Sequence, residues 1–230
     1  LYSNFTITNN RIISNGTAIF VNDIDGIQIY NNTIQSVIGI SVFDSKEIHI
    51  FENDILVSRT GIGVSNSEGN VTNNLIQGEC YNDKCDVVYF TKVAQSGIKI
   101  VSLSDIHAKD NIIESFNILV NSTNSAINLR ENYLDYSNTG IHIKGGMSSE
   151  IHGNKISNSS TLINSIDSQN IEIYDNNFSN FGKAYFSTNS TSNLLTNYYD
   201  EGQVCLEFID SIYTVACLLY TSPSPRDQSG

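Results

Sequence analysis

The sequence predicts an all-β fold, a right-handed parallel β-helix solenoid of about nine coils, and three columns of residues carry that prediction. The first is asparagine, at Asn10, Asn32, Asn53, Asn74, Asn111, Asn132, Asn154, Asn176 and Asn197, with successive gaps of 22, 21, 21, 37, 21, 22, 22 and 21 residues. The second is apolar and lies two residues later, at Ile12, Ile34, Ile55, Ile76, Ile113, Leu134, Ile156, Phe178 and Tyr199. The third lies three residues earlier, at Ile7, Ile29, Ile50, Val71, Ala108, Leu129, Ile151, Ile173 and Leu194. A period of 21–22 residues that keeps all three columns marks a solenoid, whose units bury their apolar faces only against their neighbours.

A second strand recurs half a turn on, in Gly39-Ile40-Ser41-Val42, Gly61-Ile62-Gly63-Val64, Gly97-Ile98-Lys99-Ile100 and Gly140-Ile141-His142-Ile143. The local alternation is apolar in and variable out, as in half-buried strands, and no stretch of the repeat carries a helical stripe. Asparagine suits the turn column for two reasons. Its short side chain tolerates left-handed backbone at a corner, and identical amides stacked about 4.8 Å apart can form a continuous ladder. The column is therefore expected to be structural. The eight Asn-x-Ser/Thr sequons, Asn15, Asn70, Asn121 and Asn189 among them, are what so Asn-, Ser- and Thr-rich a chain produces by chance.

The 230 residues hold 24 acidic and 12 basic side chains, for a net charge of -12. That balance argues against nucleic acid or an anionic membrane as partner, since both require basic patches. No apolar run approaches the ~20 residues that span a bilayer. The chain opens on Leu1 with no leader behind it, and Phe5 already sits inside the repeat, so an N-terminal portion is expected to be missing. Residues 217–227 resemble a translated sequencing adapter and contain both prolines of the chain, Pro223 and Pro225. Residues 217–230 are therefore expected to be a non-native tail.

The domain plan is a β-helix over 1–199, an end cap over 200–216 and that tail. The gap of 37 places about 15 extra residues in one coil, an insertion around 78–95 that carries Tyr81, Tyr89 and Phe90. Cys80 and Cys85 stand close enough in it to close a small disulfide loop in a secreted protein, although Cys205, the one further cysteine outside the 217–230 tail, leaves the native count odd. No histidine or further cysteine sits nearby at ligand spacing, so no metal site is expected there. In the cap, Cys205, Phe208, Ile209 and Ile212 fall at helical spacing, which predicts a short amphipathic helix over the sheet edge. One more strand is the alternative.

These columns resemble the parallel β-helix repeat family, which includes NosD-like proteins and carbohydrate-binding and sugar-hydrolase β-helices of the pectate-lyase kind. The resemblance covers residues 4–199. It implies the fold, with polysaccharide as the usual partner, but it spans lyases, hydrolases, epimerases, adhesins and surface-layer proteins, so it carries no single function. Asn197-Tyr198-Tyr199-Asp200 is loosely similar to an Asn-Tyr-Trp-Gly motif that precedes a short helix in many surface β-helices. Lyases of the fold bind calcium through clustered carboxylates beside an Arg or Lys base. No such cluster is visible here, so calcium enters only through the resemblance and no cofactor is otherwise expected.

Chemistry must lie on outward positions. Two residues before the Asn column these read Thr8, Tyr30, Phe51, Thr72, Lys109, Arg130, His152, Tyr174 and Leu195. Lys109, Arg130 and His152 stack on three successive coils, flanked by Asp110, Glu131, Glu150, Glu172, Asp175 and Tyr174. They are the candidate catalytic residues, able to hold a uronate carboxylate or supply a general base. Tyr174, Glu150, Glu172, Tyr81 and Tyr89 are the candidate ligand-binding residues. The competing reading is charge pairing along a solvated sheet. Lys99, His142 and Lys144 on the other sheet are a weaker set, and His49 and His107 share a column without adjoining. Asp23, Asp44, Asn66, Ser102 and Asp167 form a turn column that capping explains.

The expectation is a secreted or cell-surface β-helix that binds or scaffolds against polysaccharide, without catalysis in these coils. The alternatives are a lyase, epimerase or hydrolase acting on a uronate-containing or other glycan, and an adhesin or surface-layer stalk.

Overall fold

The computed structural model describes residues 5–79 and 94–216. It is an all-β parallel solenoid of about nine turns. Each turn contributes a short strand to one ten-stranded sheet and a long strand to a second ten-stranded sheet, and every pairing is parallel. The short strands run from Thr6–Thr8 through Asp105–Lys109, Ala126–Arg130, Met147–His152 and Gln169–Tyr174 to Ile212–Ala216. The long strands run from Arg11–Asn22 through Ile112–Thr123 and Tyr133–Lys144 to Tyr198–Ile209.

The columns legible in the sequence are the registers of the structure. Ile7 pairs with Ile29, Ile29 with Ile50 and Ile50 with Val71, and the column continues to Ile173 opposite Leu194. The other apolar column passes from Ile12 through Ile34 and Ile55 to Phe178 opposite Tyr199. Both point inward, and Ile29, Ile50, Ile55, Ile113, Leu129 and Ile173 are fully buried. Each coil thus buries little by itself and becomes stable by stacking.

The asparagines form the expected ladder. The Oδ1 of Asn132 accepts from both the backbone N–H and the Nδ2 of Asn111, each at 3.0 Å. Its own Nδ2 donates to Asn154 Oδ1 at 3.0 Å and to the Ala108 carbonyl at 2.9 Å. The Oδ1 relay is continuous from Asn10 to Asn197. The expectation that these residues take left-handed backbone needs one correction. The left-handed residue is the one before each: Asn9, Asn31, Glu52, Asn73, Asp110, Glu131, Gly153, Asp175 and Thr196, with φ between 52° and 65°. The chain reverses there, and the ladder amide, committed along the axis, keeps ordinary backbone.

A second ladder fills the opposite corner and was not anticipated. Ser67 Oγ accepts from the Ser45 N–H at 3.0 Å, Ser190 Oγ accepts from the Ser168 N–H at 3.0 Å, and Ser104, Ser125, Ser168 and Ser211 repeat the pattern. Most of these hydroxyls donate back to a carbonyl two residues earlier, as Ser45 does to Phe43 at 2.7 Å.

Crowding explains the glycines that open the second-strand motif, Gly39, Gly61, Gly97 and Gly140. A Cβ on Gly97 would stand 2.3 Å from Ile113 Cγ2 and 2.7 Å from the Leu119 carbonyl oxygen, and one on Gly61 would meet Ile76 and the Gly97 carbonyl as closely. Gly97→Ala is expected to destabilise the fold by about 1–3 kcal/mol, read as a lowered urea midpoint at unchanged slope. An unchanged midpoint would show that the next coil yields freely.

The insertion interrupts one long strand at a defined place. Leu75–Gly78 and Ala94–Val101 both pair with Asp54–Ser65 on one side and Ile112–Thr123 on the other, and together they supply one long strand. The interruption falls where later long strands bend through left-handed residues: Ser115, Tyr136, Asn158, Asn180 and Glu201. Cys80, Cys85, Tyr81 and Tyr89 lie outside the described residues.

The C-terminal segment corrects the helix expectation. Tyr198–Ile209 and Ile212–Ala216 are strands that pair with Asn177–Thr188 and Thr191–Leu195, adding one more coil. The helical spacing arose across a corner. Phe208 occupies an inward column opposite Ser187, whereas Ile209 and Ile212 flank the Ser211 corner and are 44% and 75% exposed.

Candidate functional site

The outer face of the short-strand sheet carries two columns of half-buried or exposed side chains. Alternation along a strand sends positions two apart to the same face, and parallel register stacks them about 4.8 Å apart. One column reads Thr8, Tyr30, Phe51, Thr72, Lys109, Arg130, His152, Tyr174 and Leu195. The other reads Thr6, Gln28, His49, Asn70, His107, Asn128, Glu150, Glu172 and Asn193.

The structure brings Lys109, Arg130 and His152 into line but gives each a partner. Lys109 Nζ lies 3.1 Å from Asp110 and 3.2 Å from Glu131, and Arg130 Nε lies 3.7 Å from Glu131. The lysine's hydrogen bonds to Asp110 and Glu131 hold its pKa above the ordinary value. The His152 ring stacks on Tyr174 with centroids 4.7 Å apart and planes 5° from parallel. Tyr30 and Phe51 stack the same way at 4.6 Å near the other end of the column. Glu150 accepts from Asn128 Nδ2 at 2.8 Å and adjoins Glu172 on the next coil. Burial first, then the charges of Glu150, Glu172 and Asp175, raises the Tyr174 phenol, which therefore stays protonated and able to donate.

His49 and His107 are separated by Asn70, so they form no pair. Among the described residues no three or more His, Cys, Asp or Glu side chains gather as a metal site. Among the same residues no helix is long and apolar enough to cross a membrane. The turn column is a corner, as its residue types implied. Asp23, Asp44, Asn66, Ser102 and Asp167 all have left-handed backbone, and Asn66 Nδ2 donates to Asp44 at 2.7 Å.

No family model matches the chain. No curated protein matches it either.

One buried carboxylate escaped the sequence reading, and so did the surroundings of His142, which that reading had named. Asp135, only 5% exposed, accepts from Tyr133 Oη at 3.1 Å, Ser157 Oγ at 2.8 Å and Asn158 Nδ2 at 2.7 Å. It sits at an outward position that the bend of the long strand encloses, and no spacing signals that. On the same sheet His142 lies between Asn121 and Asn164 on adjacent coils, two coils from Lys99. Burial, and then Lys144, lowers the His142 pKa from 6.5. The unfolded chain therefore binds the proton more readily. Stability is complete above about pH 6.5 and declines as the pH falls from there toward the folded value. His142→Asn is expected to flatten that decline in melting temperature between neutral pH and about pH 5. A variant that follows the wild-type profile would remove His142 as its source.

Proposed function

We propose that this β-helix binds polysaccharide along the outer face of its short-strand sheet, at the cell surface or after secretion, and that Lys109, Arg130 and His152 do not form a catalytic centre. The observation that carries the reading is the engagement of the basic triplet. A lysine held between two carboxylates is kept protonated and cannot act as a base, and an arginine beside Glu131 is already compensated. What the face offers instead is a repeating display of amides, carboxylates, imidazole and phenol at one-coil intervals. A polymer with a hydroxyl or amide on every residue can meet it at many points, so modest contacts sum through multivalency. The resemblance to carbohydrate-binding β-helices of the NosD and pectate-lyase kind supports the same partner class.

The test is calorimetric titration with a panel of neutral, uronate and amino-sugar polymers, with release of reducing or unsaturated ends measured in parallel. Expected is binding to at least one polymer, weakened by Tyr174→Ala with an unchanged melting temperature, and no release of ends. Chain cleavage abolished by Arg130→Ala in a folded protein would establish the enzyme instead. No binding anywhere on the panel would end the proposal.

A further inference from the structure

The charges on the outer face are lopsided in a way that selects among glycans. Between Asp105 and Asp175 the face and its adjoining corner carry two cations, Lys109 and Arg130, and six carboxylates: Asp105, Asp110, Glu131, Glu150, Glu172 and Asp175. Both cations are consumed by Asp110 and Glu131. Among the described residues none of the carboxylates around the stacked His152 and Tyr174 rings forms an ion pair, and the one cation nearby, Arg130 beside His152, pairs with Glu131. Glu150 is held by the neutral amide of Asn128, Asp175 accepts from the Thr196 hydroxyl, and Glu172 is exposed. A uronate chain laid there would bring carboxylate onto carboxylate.

We propose that the stretch from Asn128 to Asn193 takes an amino-sugar polymer bearing free ammonium groups, in preference to a uronate or an uncharged chain. The inference rests on the polysaccharide-binding reading and names its substrate class. Charge complementarity supplies the selection, since ammonium groups replace the missing counter-charge of Glu150, Glu172 and Asp175. The column Asn128, Glu150, Glu172, Asn193 sets two adjacent carboxylates between two amides, so it offers both donors and acceptors to sugar hydroxyls. A basic peptide fits less well. The strands under this face are already paired above and below, which leaves no backbone edge for a peptide to extend.

The experiment compares soluble glucosamine oligomers, the same oligomers fully N-acetylated, polygalacturonate oligomers and polylysine of similar length, with the whole chain, in a chelator. Glucosamine oligomers are expected to bind best and to weaken with added salt. The Glu150→Gln/Glu172→Gln variant should bind them roughly three- to tenfold more weakly at an unchanged melting temperature. Should that pair fail to fold, Glu172→Gln alone, on an exposed side chain, gives the same reading in part. Equal binding of the acetylated chain, tighter binding of polygalacturonate or polylysine, or binding that requires calcium would overturn the inference and leave the broader reading intact. Loss of binding to every glycan would overturn both.

Discussion

Asn132→Ala is expected to cost about 4–6 kcal/mol, enough to unfold a domain of ordinary stability. The change removes the acceptor of the Asn111 N–H and Nδ2 and the donor to the Ala108 carbonyl and Asn154 Oδ1. It thereby leaves several buried polar groups without partners, each worth about 1–3 kcal/mol. Chemical denaturation at neutral pH checks it, with Asn10→Ala as the internal contrast. Asn10 lies exposed at the end of the relay, and its loss should cost about 1 kcal/mol or less. A finer contrast is Asn132→Asp, which keeps the Oδ1 that accepts from the Asn111 N–H and Nδ2 and loses the donors. Its buried carboxylate should be severely destabilising at neutral pH and partly recover on acidification, when the protonated acid can donate again. Equal losses at Asn10 and Asn132 would show that the amide relay is not what holds the corner.

Phe116→Ala is expected to lose about 3–5 kcal/mol. Phe116 is fully buried and packs beside Gly97 in the coil next to the excursion, where the neighbouring long strand comes in two pieces. Because coils contact only their immediate neighbours, weakening one interior coil should also break cooperativity. Thermal unfolding of the variant should then resolve into two steps, one for the coils on each side. A single sharp transition, however lowered, would mean that coupling across this seam is stronger than nearest-neighbour stacking supplies.

The apolar and asparagine columns were legible because each residue in them meets a copy of itself one coil away, so the contact is written as a repeat. The serine corner obeys the same logic but was hidden. Ser is common throughout the chain, Gly146 interrupts the series, and Ser104 reaches back three residues to Val101 rather than two. The helix expected over Cys205–Ile212 came from reading spacing across a corner, where the phase of a strand is reset. A signal was present, since Ser211 falls 21 residues after Ser190. At the candidate site, position was legible and pairing was not. That Lys109, Arg130, His152 and Tyr174 share a face follows from periodicity alone. The engagement of Lys109 by both Asp110 and Glu131 depends on two consecutive corners taking left-handed backbone beside the sheet, which a residue count does not reveal.

The bend in the long strands has an engineering consequence. Because the strand halves on either side of the excursion keep their own partners, foreign sequence at a bend need not disturb either corner or the register of the coils beyond. Tyr136, Asn158 and Asn180 mark equivalent exits on three successive turns. Guest peptides grafted at those points would emerge in a row, at an interval set by the pitch of the scaffold rather than by any linker.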